Sequence, residues 1–393
     1  MPAFGAGRRR DTVRPVPMAS TSRNQHRLVL VGGGHSHVEV LRAWARRPMP
    51  GVHLSMVTDG PRAVYSGMVP GLVAGQYRFD EIEIDVERLA RRAGAAWIEA
   101  QVTGLDASAR RIRVRDAPPI DYDTASFDVG STVAGLDLPG VAAHALPTRP
   151  IGEFARRADA VVHRARARPG LRLVVVGAGA AGVEIACAFR GRFDRLGLRE
   201  ASVALLERGP RVLPGYPPAA ARRIEGHARA RGIEIRCRAG VARAEPDRLV
   251  LEGGESVRCD ALVWVAGPAS LPLFDGSGLA RDARGFVQVR ATLQAAARDE
   301  VFAAGDCASL LTEPALPRAG VHAVRQGPVL AQNLAARVGG RPLAAYRPQR
   351  DFLSLLNLGN GRAVATKWGL AAEGAWAWRL KDAIDRRFVR RYR

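Results

Sequence analysis

Two glycine-rich stretches have the residue types and spacing to do chemistry. In "LRLVVVGAGAAGVEIACAF", Leu171 to Phe189, a run of valines leads into Gly177, Gly179 and Gly182, a complete G-x-G-x-x-G with a helical pattern behind it. The first glycine of such a turn permits the tight bend. The second lets backbone approach a pyrophosphate, and the third lets the helix pack closely on its strand. The helix start then offers free N–H groups and a positive dipole end to phosphate.

The other stretch is "RLVLVGGGHSHVEVLRAW", Arg27 to Trp44. Gly32, Gly33 and Gly34 supply the bend, but His37 stands where the third glycine belongs. Three readings are open: a damaged nucleotide site, a metal site made from His35 and His37, or a variant dinucleotide site. Two histidines two apart at a helix start point in different directions, and no Cys/His cluster nearby completes a coordination set. No metal is expected. His37 either packs its helix against a more distant strand or touches a bound pyrophosphate or flavin. His35 and Ser36, at the helix start, face the same ligand.

Each turn needs an acid at the end of the next strand to hold a ribose hydroxyl. After the second turn "ASVALLERG" ends in Glu207, followed by Arg208; the acid coming first favours NADH over NADPH. After the first turn "GVHLSMVTDG" places Thr58 at the strand end and the acid, Asp59, one residue late. One fingerprint alone is weak; two in one chain, 145 residues apart, are much stronger.

Further segments read as parts of the same architecture. "YDTASFDVGST" and "CDALVWVAGPAS" are buried strands ending in small-residue turns at Gly130 and Gly267. "DEVFAAGDCAS" ends in Gly305 and Asp306, where the carboxylate suits a ribityl hydroxyl and the glycine a close approach. The helix that opens near Gly320 and Val321 would aim its positive end at a flavin C2 carbonyl.

The chain has 393 residues, 47% of them hydrophobic, enough for two or three packed domains. No apolar run is long enough to span a membrane. Residues 1–26 have no apolar signal segment and read as a disordered basic tail, with Met18 an alternative start. The net charge is +21 and nearly all arginine, since Lys367 and Lys381 are the only lysines. Composition bias, anionic cofactors and an anionic membrane surface all account for such a balance. No aromatic-interleaved basic motif points to nucleic acid. Cys187, Cys237, Cys259 and Cys307 show neither zinc nor redox-dithiol spacing and suit a reducing, cytoplasmic setting.

This order of motifs resembles the pyridine nucleotide-disulfide oxidoreductase flavoproteins: an FAD site, an inserted NAD(P)H site, and a return to the FAD domain through Gly305-Asp306. Within them it is similar to type II NADH dehydrogenases and sulfide:quinone oxidoreductases. "VGGGHSHVEVLR", "YSGMVPGLVAGQY", "AGVHAVRQGPVLAQNL" and "YRPQRDFLSLLNLGNGRAVA" resemble most closely a subfamily found alone or fused ahead of selenide, water dikinase, in which G-G-G-H-S-H is the normal first turn. The resemblance implies an α/β protein of two Rossmann-like dinucleotide-binding domains with a C-terminal extension. It places FAD at Gly32, Gly34 and Asp306, and NAD(P)H at Gly177, Gly179, Gly182 and Glu207. It puts Glu184 beside the nicotinamide. The disulfide of the family name has no counterpart, because "YSGMVPG" fills its place. The quinone enzymes' A-Q-x-A-x-Q is replaced, with Val321 and Arg325 at the glutamine positions; Arg325 and His322 either meet an anionic substrate or are solvated.

The expected layout is a tail over 1–26, FAD-domain parts over 27–145 and 283–340, an inserted NAD(H) domain over 146–282, and an extension over 341–393. In that extension Trp376, Leu380, Ile384 and Phe388 make one apolar stripe on a basic helix. The stripe either docks on the chain's own FAD domain or lies on a membrane surface. The expected activity is hydride transfer from NADH to flavin N5, then onward to a small-molecule acceptor. That acceptor is quinone-like, or a selenium compound if the dikinase kinship decides. A cofactor-holding partner or sensor without turnover is the competing class.

Overall fold

The computed structural model describes residues 25–349 and 351–393. Its central feature is an eight-stranded sheet. Five of its strands run parallel, in the order Arg298–Ala303, Thr124–Phe127, His26–Val31, Val52–Thr58 and Ala96–Glu99. Parallel strands are covered on both faces, so they read as continuous apolar runs. "RLVLV" is such a run, and Leu28 to Val31 are buried. Three short strands, Gln294–Ala295, Val287–Val289 and Ala308–Leu310, extend one edge.

A second sheet has five parallel strands, ordered Ala145–Pro147, Ala261–Trp264, Arg172–Val176, Ser202–Leu206 and Ile233–Arg236. All five lie in sequence between Thr124–Phe127 and Val287–Val289 of the first sheet. Each sheet has a three-stranded antiparallel crossover, Val102–Asp121 for the first and Val241–Arg258 for the second. The two connecting segments pair with each other, Thr132–Val133 antiparallel to Pro268–Ala269. The chain is thus an α/β protein with two Rossmann-like units.

A third, antiparallel sheet of Ser354–Asn357, Ala363–Lys367 and Leu370–Gly374 leads into a helix, Ala375–Arg390. This helix corrects one expectation. It docks, but through Ala377, Lys381, Asp385 and Val389 rather than through the apolar stripe. Of the stripe, Trp376, Leu380 and Ile384 face outward at 52%, 39% and 46% exposure, and only Phe388 turns in, stacked on Tyr65 with ring centroids 4.4 Å apart. The stripe was a sound helical period, but a buried ion pair turned the other face inward.

A second correction concerns the start. His26 belongs to the first strand, where its ring meets Thr124 Oγ1 at 2.9 Å. The remainder of the expected tail, residues 1–24, lies outside the described residues.

Candidate functional site

The second turn takes the shape its spacing requires. Gly177 has φ +101°, and a Cβ there would lie 2.7 Å from the Val265 carbonyl. A Cβ on Gly182 would lie 1.7 Å from the Gly177 carbonyl, so helix Ala180–Arg195 can close on its strand only over glycine. Gly179 has open space, with nothing within 4 Å of its Cβ position. Glu207 accepts hydrogen bonds from Ala178 N and Gly209 N, both 2.7 Å, which sets its carboxylate against the turn. Arg208 points elsewhere, to Glu252 at 2.8 Å, and is largely exposed.

The first turn is built differently. Gly32 has φ +90°, and a Cβ there would strike the Asp128 carbonyl at 2.5 Å. At Gly34 a Cβ would lie 2.2 Å from the Asp128 carboxyl, so the space left open in the second turn is filled here. Asp128 Oδ2 accepts from Ser36 N at 2.7 Å and His37 N at 3.2 Å, and its carbonyl accepts from Gly34 N at 3.1 Å. Burial pushes the Asp128 carboxyl up to about 7. Among the described residues Gly33 N and His35 N make no hydrogen bond. These are the donors left for a phosphate.

His37 replaces the third glycine as a buried strut. Its Nδ1–H donates to the Gly32 carbonyl at 2.7 Å, and Nε2 meets Ser126 Oγ at 2.8 Å. Burial draws its ring down to about 4, which keeps it neutral at pH 7. It therefore packs the helix against a strand that a glycine would let come closer. His35 points away from it, between Tyr65 at 5.3 Å and Phe388 at 5.8 Å, so the two rings do not share a ligand.

The remaining residues read from the sequence divide into two groups. Gly305 and Asp306 join the first turn, since a Cβ on Gly305 would meet Asp128 Oδ1 at 2.5 Å. Gly305 N donates to Gln326 Oε1 at 2.7 Å. The Asp306 carboxylate is paired with Arg149, from the segment that leads into the second sheet. Gly320 and Val321 open a helix, Gly320–Val338, that packs along His35–Arg46 through Ser36 Oγ donating to the Ala323 carbonyl at 2.7 Å. Gly130 has φ +72° with open space around it, and Gly267 is exposed and open. Asp59 stands apart, exposed past the strand end, while Thr58 closes its own turn on Gly60.

Glu184 lies on the helix behind the second turn and accepts from Asn357 N at 2.8 Å; Asn357 Nδ2 in turn donates to Gln76 at 2.7 Å. Burial pushes the Glu184 carboxyl up to about 7, with the Lys381 charge acting against the rise. Lys381 donates to the Gly67 carbonyl and to Asp385, each at 2.8 Å, and Tyr65 OH donates to Asp385 at 3.3 Å. The "YSGMVPG" segment is thus held to the C-terminal helix by a lysine. Burial lifts the thiols of Cys187, Cys259 and Cys307 to about 12, far from a reactive thiolate.

The sequence motifs do not mark Asp128, Arg149, Lys381 and Asp385 as site residues. Asp128 had a signal, an acid inside the buried run "SFDVGS". Lys381 had one too, as one of only two lysines in an arginine-rich chain. Arg149 had none, because its partner is 157 residues away.

Two parallel-sheet units, each opening on a glycine turn, define a two-dinucleotide reductase architecture. The chain belongs to the family described as pyridine nucleotide-disulphide oxidoreductase, which matches residues 26–332. It is accordingly an FAD-dependent NAD(P)H oxidoreductase, with FAD and NADH as cofactors. It is 28% identical over 361 residues to an NADH dehydrogenase-like protein of Mycobacterium tuberculosis, covering 83% of this chain and 88% of that one. It is 24% identical to the demethylphylloquinone reductase of Synechocystis, covering 93% and 92% of the two chains. In fold it is similar to the sulfide:quinone oxidoreductase of Aquifex aeolicus, with TM-score 0.80, 17% identity, and 94% and 91% coverage. None of these relatives supports the kinship with selenide, water dikinase.

Proposed function

We propose that the chain oxidises NADH and delivers the electrons to a quinone-like acceptor at a membrane face. FAD lies along the first turn, with Gly33 N and His35 N toward its pyrophosphate and Gly130, Gly305 and Gly320 lining its path. NADH lies along the second, with Gly179 beneath its pyrophosphate and Glu207 on its ribose. Bound FAD supplies the two-electron carrier between NADH and acceptor. Glu184 positions the nicotinamide end and, near neutral pH, exchanges a proton. The Lys381–Asp385 pair and Tyr65 fix the segment at the other side of that space.

The observation that carries the acceptor reading is the outward apolar edge of the C-terminal region. Trp368 and Leu370 are 74% and 72% exposed on the hairpin that leads into the helix, and Trp376, Leu380 and Ile384 are exposed on the helix itself. Arg379, Arg387 and Arg390 are exposed on the same helix, and Arg391 is exposed just past its end. An apolar strip flanked by arginine suits an anionic lipid interface. Among the described residues no helix is long and apolar enough to cross a membrane, so the contact would be peripheral. The named relatives include quinone reductases, which supports the same acceptor class.

The test compares the wild type with a triple variant, Trp376→Ser, Leu380→Ser, Ile384→Ser, which leaves Lys381 and Asp385 in place. Both are spun down with anionic vesicles and assayed for NADH oxidation with a soluble quinone and with a vesicle-borne one. Loss of vesicle binding and of the vesicle-borne reaction alone supports the proposal. Equal vesicle binding by the two proteins refutes the membrane part. Turnover on selenite with none on quinone refutes the acceptor, and absence of NADH oxidation on any acceptor favours a cofactor-holding partner.

A further inference from the structure

This inference rests on the reading that the FAD pyrophosphate lies at the first turn. Such a turn works because free N–H groups and the helix dipole face the phosphates. Here an anion of the chain itself already stands there. Asp128 takes Gly34 N with its carbonyl and Ser36 N and His37 N with Oδ2, leaving Gly33 N and His35 N for the ligand. Gly34 and Gly305 are both needed to make room for this carboxyl, since a Cβ on either would lie within 2.5 Å of it. We propose that Asp128 is protonated in the FAD-bound protein, so that binding FAD takes up one proton from solvent.

Among the described residues, the neighbours of Asp128 give it no cation. Helix His35–Arg46 presents His37 and His35, both kept neutral by burial. The turn after Arg298–Ala303 presents Asp306, whose charge is met by Arg149, and the Cys307 thiol. Helix Gly320–Val338 presents Gln326, occupied by Gly305 N, and His322, whose Nδ1 meets Tyr346 OH at 3.2 Å. A diphosphate beside this carboxylate places like charges in one buried space, and such charges do not all stay ionised. Oδ2 already accepts two N–H groups, so the proton belongs on Oδ1, the oxygen toward Gly305. Burial already brings the carboxyl up to about 7, within reach of neutral solution. The phosphates lift it further, and a group whose pKa rises on binding draws a proton with the ligand.

The test is calorimetric titration of flavin-free protein with FAD at pH 5.5 and pH 8, in buffers of differing ionisation enthalpy. The wild type should take up close to one proton at pH 8 and close to none at pH 5.5. Its Kd should rise about tenfold per pH unit above neutrality. D128N keeps an oxygen acceptor for Ser36 N and His37 N and should bind FAD with no uptake and no pH dependence. As a second readout, release of flavin fluorescence from diluted holoprotein should quicken above pH 7 in the wild type and stay flat in D128N. Uptake that persists in D128N, or a wild type without uptake at pH 8, overturns the assignment to Asp128. Failure of FAD to bind either protein at any pH overturns the placement of FAD and the inference with it.

Discussion

Lys381 and Asp385, one helical turn apart, form a 2.8 Å ion pair on the buried face of the C-terminal helix, and the same ammonium reaches the Gly67 carbonyl at 2.8 Å. The pair fastens the helix to the "YSGMVPG" segment. It also explains why the helix shows its apolar stripe to solvent. Two buried charges are stable only beside each other, and their partners lie on the face one residue, about 100°, round the helix from the stripe.

Removing one member should therefore cost more than removing both. Lys381→Met leaves the Asp385 carboxylate buried alone and should destabilise the protein by about 3–5 kcal/mol. Lys381→Met with Asp385→Leu should recover much of that loss. Denaturant unfolding of Lys381→Met, Asp385→Leu and the double variant checks the order; a double loss equal to the sum of the two single losses would show that the pair is not coupled.

Glu184 should make NADH oxidation and stability depend on pH. Its carboxyl is raised to about 7 by burial, so the folded state holds a proton that the unfolded chain gives up at ordinary carboxylate pH. Its contribution is fully present below the unfolded pKa and is lost as pH rises through about 7. In Glu184→Gln that loss should shrink between pH 5 and 8. The pH break in the anaerobic rate of flavin bleaching by NADH should flatten as well. A break unchanged in Glu184→Gln assigns it to another group.

The two glycines of the second turn should fail in different ways. Gly182→Ala drives a Cβ into the Gly177 carbonyl and should disorder the NADH half, seen as lost NADH binding and a lower melting temperature. Gly179→Ala meets open space, so melting should be unchanged while NADH binding weakens. Flavin content should be kept in both, because the first turn is untouched.

Glu207→Ala should reduce kcat/KM for NADH by about 10- to 100-fold, the range of a hydrogen bond to a charged group. NADPH, which a carboxylate repels, should lose less or gain. Steady-state kinetics with both nucleotides decides; a parallel fall for both would make Glu207 only a prop for the turn.

Restoring the consensus at the first turn should harm it. His37→Gly removes a buried ring with hydrogen bonds at both nitrogens and should cost about 2–4 kcal/mol of stability. Thermal unfolding with and without added FAD measures it, and a stabilised variant would refute the strut role.

The sequence by itself determined the parts whose chemistry is local. A turn, its strand and its helix are contiguous, so Gly177, Gly179 and Gly182 announced the second dinucleotide unit before any fold was known. The two fingerprints with the return through Gly305-Asp306 likewise announced the two-unit architecture. Tertiary structure decided whatever depended on distant residues meeting. His37 was visible as a departure, but its meaning lay in Ser126, on another strand. Asp128 shows in the sequence only as an acid in a buried run; its role came when the sheet brought it under Gly34 and Gly305. The helical period of Trp376, Leu380, Ile384 and Phe388 was legible, yet which face turned inward was not. An apolar period states that a stripe exists; the partners that a buried lysine must find, Gly67 and Asp385, decide where the helix points it.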